Sequence, residues 1–276
     1  MKPTLPISIP ALAFHKVDRA FEWGVTRVTP RQFSKIVQQL SRWGYETVLP
    51  RDLETADKLP PKPLIITFDD AYASVVEEAL PVLKAYGMKA AVYVITDYVG
   101  TFNTWDVNLG GLQFQHASWG QLATLRDAGW EIGSHTATHP DLTRFDAKRV
   151  KRECEISKRL LEEKLSVKVS SIAPPFGRYN KETLSIISNA GYQHVSAFWA
   201  NRSAVLQDNL VVIERKAYYL FDGRLSLKAK CSTSFWSRLE SFKLRVINFF
   251  SHGTAIVKPA RDQGASLQSS SDCQSH

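Results

Sequence analysis

Residues Pro63 to Ser74 read P-L-I-I-T-F-D-D-A-Y-A-S. Leu64, Ile65 and Ile66 form a short uninterrupted apolar run, as a parallel strand covered on both faces requires. Asp69 and Asp70 stand where that run stops. Neighbouring carboxylates repel, so leaving both at the end of a buried strand is costly unless a cation offsets the charge. Taken alone, the pair also fits a turn or a helix N-cap. A second stretch, G-S-H-T-A-T-H-P-D-L at Gly133 to Leu142, shifts the balance toward a cation. It sets His135 and His139 four residues apart, a spacing at which two imidazoles reach one ion from a single turn of chain.

Outward from these stretches the chain repeats one cycle: helix, glycine, short apolar strand. Ala11 to Phe14 reads as a first strand ending in His15. Thr29 caps a helix with Pro30 at its first position, and Phe33, Ile36, Val37, Leu40 and Trp43 recur at helical spacing up to Gly44. Tyr45 to Leu49 reads as the next strand. Val75, Val76, Leu80 and Leu83 mark a helix before Gly87, and Ala90 to Ile95 a buried strand. Ser118 caps a helix through Trp119, Leu122 and Leu125, which Gly129 stops ahead of the strand Trp130 to Ser134. Val150, Cys154, Leu160, Leu161 and Leu165 lie on a longer helix before the strand Ser170 to Ala173. Leu184, Ile186 and Ile187 precede Gly191 and the strand His194 to Phe198. This alternation predicts parallel βα units, sheet inside and helices outside.

The chain has 276 residues, 44% of them hydrophobic, enough for one α/β domain of about 220 residues plus a tail. A formal net charge of +8 suits an anionic partner without naming one. No phosphate loop, zinc knuckle or RNP-like aromatic motif accompanies it, so nucleic acid is not expected. Cys154, Cys231 and Cys273 are scattered and odd in number, which implies no disulfide framework. The first ten residues lack the apolar core of a secretory signal, and no apolar stretch approaches the ~20 residues needed to span a bilayer. These features predict a cytoplasmic protein, with attachment at the inner membrane face as a further option.

T-F-D-D at Thr67 to Asp70, H-T-A-T-H-P at His135 to Pro140 and A-P-P-F-G at Ala173 to Gly177 resemble, in order and separation, the three motifs of the polysaccharide deacetylases, whose shared part is the NodB homology domain. Weaker similarity runs from about Ala13 to Lys216. The resemblance implies a distorted, incomplete (β/α) barrel, placed at residues 1–224; past Lys216 it fades, and the apolar stripe and the composition there predict a helical extension at 225–259 and a Ser- and Gln-rich, disordered tail at 260–276. In such barrels the site assembles at the carboxyl ends of the strands. The assigned strands carry all three motifs to that rim.

By the same resemblance, Asp70, His135 and His139 ligate one divalent ion, Zn²⁺ first, with Co²⁺ or Ni²⁺ as alternatives. Three ligands leave a coordination position open, as catalytic zinc requires. Asp69 is the implied general base, and the backbone N–H of Phe176 the implied oxyanion donor. Pro175 and Gly177 join Phe176 in the substrate-contacting loop. Thr96 to Ala117 is too long for an ordinary βα connection, and its Trp105 and Asp106 are candidate substrate contacts.

The chain also departs from the family pattern. Ala71 stands where Gly is usual, acceptable if its φ is negative. Ala173 replaces the Arg that usually orients the base, so Asp69 needs another partner, Arg215 ahead of Arg178. The family's last motif supplies a His as general acid. Here F-F-S-H ending at His252 is the nearest match, inside an apparent helix, and His15 on the predicted rim is the substitute, as an acid or as a group supporting Asp69. That helix, with Phe235, Leu239, Phe242, Val246 and Phe249 on one stripe, either docks on the core, the favoured reading, or makes peripheral contact with an anionic membrane.

The function expected is metal-dependent hydrolysis of the N-acetyl group of an amino sugar, in an oligosaccharide, polysaccharide or lipid-linked glycan, with acetate as product. The rival is a carbohydrate-binding protein of the same fold that has lost turnover. Oligomeric state is not legible in the sequence.

Overall fold

The computed structural model describes residues 9–19, 26–53, 59–104, 113–198 and 210–232. Trp105 and Asp106, the stripe from Phe235 to Phe249, His252, Cys273 and the tail lie outside the described residues.

In chain order, β1 is Ala11–Phe14, β2 Lys16–Val17, β3 Arg27–Val28 and α1 Pro30–Arg42. Next come β4 Glu46–Thr47, β5 Pro63–Phe68, α2 Leu80–Ala85, β6 Ala91–Val94, α3 Trp119–Asp127, β7 Glu131–Ser134 and α4 Ala147–Leu165. Then follow β8 Ser171–Ile172, α5 Lys181–Asn189, β9 His194–Ala197, β10 Val211–Glu214, β11 Lys216–Ala217 and α6 Arg224–Lys230. Local chemistry sets the helix starts. Thr29 accepts from the Gln32 N–H ahead of Pro30, and Ser118 and Gln121 form a reciprocal capping box. Two expected elements come out differently. The strand at Tyr45 to Leu49 shrinks to β4; the Val48 N–H still donates to the Leu64 carbonyl of β5 at 2.9 Å, and a 3-10 turn follows at 50–53. The helix before Gly87 opens with a π-helical turn at Val75–Ala79, one residue wider than an α-turn.

The main sheet runs β10-β9-β8-β7-β6-β5-β1-β11, with β4 beside β5, and its neighbours pair in parallel. Its two outermost strands, β10 and β11, are separated in sequence by Arg215 alone. One residue cannot cross an open sheet, so the sheet must curl until its edges meet there. The result is a nearly closed (β/α) barrel.

Period-2 alternation then sorts the strand residues into two sets. Leu12, Phe14, Leu64, Ile66, Phe68, Val92, Val94, Ile132, Ile172 and Val195 face the helices and form the main core. Their neighbours fill the barrel. Ala11, Ile65 and Ile213 close the end where the strands begin, Ala91, Tyr93 and Ala173 occupy the middle, and Ala217 and Tyr219 pack with Phe198. Leu227 and Cys231 join the helix-side core, and the Tyr45 hydroxyl donates to the Cys231 carbonyl at 2.9 Å, so α6 packs onto the barrel.

Candidate metal centre and its surroundings

Asp69 and Asp70 follow β5, and His135 follows β7, at the carboxyl ends of the strands. The Asp69 N–H donates to the Phe14 carbonyl at 2.9 Å, which brings the end of β1, and with it His15, to the same rim.

Asp70 and Asp69 point to different partners. Asp70 Oδ1 lies 3.5 Å from His135 Nε2 and 3.7 Å from His139 Nε2, and the three candidate ligand atoms lie within 4.8 Å of one another. Donors around a tetrahedral ion with ~2.0–2.1 Å bonds sit roughly 3.3–3.4 Å apart. One carboxylate and two imidazoles at these separations fit a divalent cation with a position to spare. His135 is prepared for this duty. Its Nδ1 donates to the Ala173 carbonyl at 2.5 Å, which leaves Nε2 with its lone pair facing Asp70. Burial holds the His135 pKa down, against the opposing pull of Asp69, so the ring stays neutral.

Asp69 turns instead into the barrel. Arg215 Nη1 and Nη2 reach its two carboxylate oxygens at 2.6 and 3.0 Å, and Nη1 also donates to Thr67 Oγ1 at 2.9 Å. Burial works to raise the Asp69 pKa, but the Arg215 charge, with His135 and His15, outweighs it and holds the carboxyl below its ordinary value. The bidentate contact uses about two of the carboxylate's four lone-pair sites and leaves the others to accept a proton. Arg178 goes elsewhere. Its Nη1 donates to Asp141 Oδ2 at 2.6 Å, tying the loop after β8 to the loop after β7. His15 is only partly exposed, and the loss of solvent around its ring lowers its pKa to about 4, so at neutral pH it is an uncharged ring beside Asp69.

Ala71 does not meet the condition set for it. Its φ is +51°, next to +66° at Asp70, so the alanine occupies the left-handed conformation that glycine adopts more cheaply. The loop after β8 is also left-handed, at Phe176 (φ +60°) and Gly177 (φ +65°). Phe176 is half exposed, and its ring centroid lies 5.0 Å from that of His139. Pro175 and Gly177 are buried beneath it. A Cβ on Gly177 would come within 2.6 Å of the Phe198 ring, so glycine is what lets this loop lie against β9.

Sequence reasoning missed Glu153, on α4. Its Oε2 accepts the N–H groups of Ala137 and Thr138, each at 2.9 Å, and its Oε1 the Thr138 hydroxyl at 2.7 Å. Those residues lie between His135 and His139, so one carboxylate fixes the histidine loop from behind. A buried acidic position inside an otherwise amphipathic helix was the available signal.

A family model described as polysaccharide deacetylase matches residues 56–195. The Bacillus subtilis (strain 168) protein named "Putative polysaccharide deacetylase YxkH" is 31% identical over 197 residues, 70% of this chain and 65% of that protein. The poly-beta-1,6-N-acetyl-D-glucosamine N-deacetylase of Staphylococcus aureus (strain MRSA252) is 26% identical over 146 residues, 50% of this chain and 48% of that enzyme. The chain thus spans less than two thirds of the length of either relative, 65% of one and 48% of the other. Among solved structures, the Streptococcus pyogenes deacetylase PplD in complex with acetate aligns with a TM-score of 0.69 at 25% identity, over 82% of this chain and 99% of that one.

Proposed function

The chain belongs to the polysaccharide deacetylase family, and from that premise we propose that it removes the acetyl group from an N-acetylated amino sugar in a reaction that depends on one divalent cation. The observation that carries this reading is the pairing of two differently committed carboxylates on one rim. Asp70 faces two imidazoles at 3.5 and 3.7 Å, while Asp69 is held ionised by Arg215 at 2.6 Å.

Asp70, His135 and His139 are the residues that would hold the ion, Zn²⁺ foremost. Bound there, it would supply a Lewis acid for the amide carbonyl and lower the pKa of a water. Asp69 is the general base that takes the proton of the attacking water. Arg215 orients that base and keeps it unprotonated, replacing the Arg that Ala173 displaces. The Phe176 backbone N–H is the donor assigned to the oxyanion as the carbonyl carbon becomes tetrahedral. His15, neutral and partly desolvated beside Asp69, suits support of the base better than donation of a proton. The C–N bond breaks as the proton that Asp69 took from water passes to the leaving nitrogen, and acetate and a free amine leave. The exposed Phe176 ring and the loop carrying Trp105 and Asp106 are the proposed contacts to the sugar.

Acetate release from N-acetylglucosamine oligomers tests this reading. Turnover should require an added divalent ion after chelation, and Asp69→Asn should lower kcat by at least about 100-fold, the usual scale for losing a general base. A metal-loaded wild-type chain that binds the oligomers yet releases no acetate would support the binding-protein rival instead. Location is a separate proposal. The net charge of +8 suits a cytoplasmic protein resting on an anionic inner membrane face, and cell fractionation of the full chain reads it directly.

A further inference from the structure

We propose that His116 is a positioning residue for Asp70, acting through the peptide that joins Asp70 to Ala71. The proposal stands on the reading that Asp70, His135 and His139 hold a divalent ion. His116 is outside that group of candidate ligands.

Asp70 and Ala71 both have positive φ, +66° and +51°. Two adjacent non-glycine residues in this region are strained, so the turn persists because its surroundings hold it. The segment Gln115 to Ala117 does the holding. The Ala117 N–H donates to the Ala71 carbonyl at 2.7 Å, the Ala73 N–H to the Gln115 carbonyl at 2.9 Å, and Tyr72 and His116 form an antiparallel bridge. The His116 side chain adds a bond to the ligand residue itself, with Nδ1 2.6 Å from the Asp70 carbonyl oxygen. A carbonyl can only accept, so Nδ1 carries the proton.

His116 is 2% exposed, and its ring stacks on Tyr72 with centroids 4.8 Å apart and planes at 17°. The donor therefore cannot swing away. It fixes the direction of the Asp70 carbonyl, hence the φ and ψ of the turn, and hence the heading of the carboxylate toward the two imidazoles. Without the donor, the peptide is free to rotate toward an ordinary backbone conformation, and the spacing of 3.5 and 3.7 Å is lost.

Two substitutions separate the donor from the ring. His116→Phe keeps an aromatic ring on Tyr72 and removes the donor. His116→Asn removes the ring and places an amide N–H where Nδ1 was. Zn²⁺ is titrated into each metal-free full-length protein against a chromophoric chelator, and Co²⁺ spectra report the ligand geometry. His116→Phe should bind about 10- to 100-fold more weakly, with an altered Co²⁺ spectrum, while His116→Asn stays within about threefold of wild type. Thermal unfolding of the metal-free proteins should show the opposite order, with His116→Asn the less stable. If His116→Phe does not fold, His116→Leu serves as the variant without a donor. Wild-type affinity in the variant lacking the donor, or equal loss in His116→Asn, overturns the proposal. A wild-type chain that takes up no ion overturns the metal reading beneath it.

Discussion

Backbone strain in this protein is concentrated at the candidate site. Asp70, Ala71, Thr136, His139 and Phe176 are five of the six described non-glycine residues with positive φ; the sixth, Ser166, ends α4. Each of the five lies in one of the loops that carry the ligands, the base or the assigned oxyanion donor. Strain of this kind survives where surrounding contacts over-determine the conformation, and Glu153, Arg178 and His116 supply such contacts here. Ala71 offers a clean test, because a glycine adds no atoms to clash and relieves the left-handed penalty. That penalty is roughly 1–2 kcal/mol, against about 0.5–1 kcal/mol lost through the greater freedom of glycine in the unfolded chain. Ala71→Gly should therefore stabilise the protein by about 0.5–1 kcal/mol, raising Tm by about 1–4 °C. Calorimetry of the metal-free protein decides it, and a lowered Tm would mean that the alanine methyl packs to more effect than its backbone strains.

Among the strands, interior volume is the constraint, and Gly133 of β7 shows it. A Cβ there would lie 2.5 Å from two carbons of the Tyr93 ring and 2.8 Å from Ser171 Oγ, inside the barrel where neither can retreat. Gly133→Ala should cost about 1–3 kcal/mol by overpacking. Adding Tyr93→Leu should recover part of it, so that denaturant unfolding of the two single variants and the double gives a coupled cycle. Strict additivity would show that the ring is not what the methyl meets. This constraint was hidden in the sequence, because Gly133 read simply as part of a strand. What was legible there is what the chain determines locally. Thr29 and Ser118 with their caps, and the apolar run at Leu64 to Ile66, depend on neighbours a few residues away. The two carboxylates and two histidines were legible for the same reason. Arg215 could be ranked above Arg178 but not placed, since its position follows from β10 and β11 meeting across the closed sheet. Glu153 and His116 act on loops 16 and 46 residues distant; the helical period puts Glu153 on the buried side of α4 without naming its partner, and nothing local marks His116.

Across the whole barrel, charge is distributed unequally between the two ends. At the carboxyl rim Asp69 is matched by Arg215, both almost wholly buried. At the other end Glu131, 2% exposed, opens β7 and accepts the Arg51 backbone N–H at 2.9 Å. Burial raises its pKa above the ordinary 4.5, with Ser171 and then the Arg51 N–H and charge giving only partial relief. A carboxyl with a raised folded-state pKa binds its proton more readily in the folded than in the unfolded chain, so stability falls as pH rises from about 4.5 through the folded value. Asp69 has the opposite sign. Its depressed pKa contributes stability that is full above about 4 and lost only as pH falls through the folded value, so it adds no slope in the window where Glu131 titrates. Glu131→Gln keeps an oxygen for the Arg51 N–H and removes the titration. The variant should therefore match wild type near pH 4, exceed it at neutral pH, and show a flatter rise and fall of Tm between the two. Its catalytic parameters should not change, because Glu131 sits at the end of the barrel away from Asp69 and Asp70. Tm measured across that range on both proteins checks the sign; a variant less stable than wild type at neutral pH would mean that the ionised carboxylate is stabilised by partners stronger than burial.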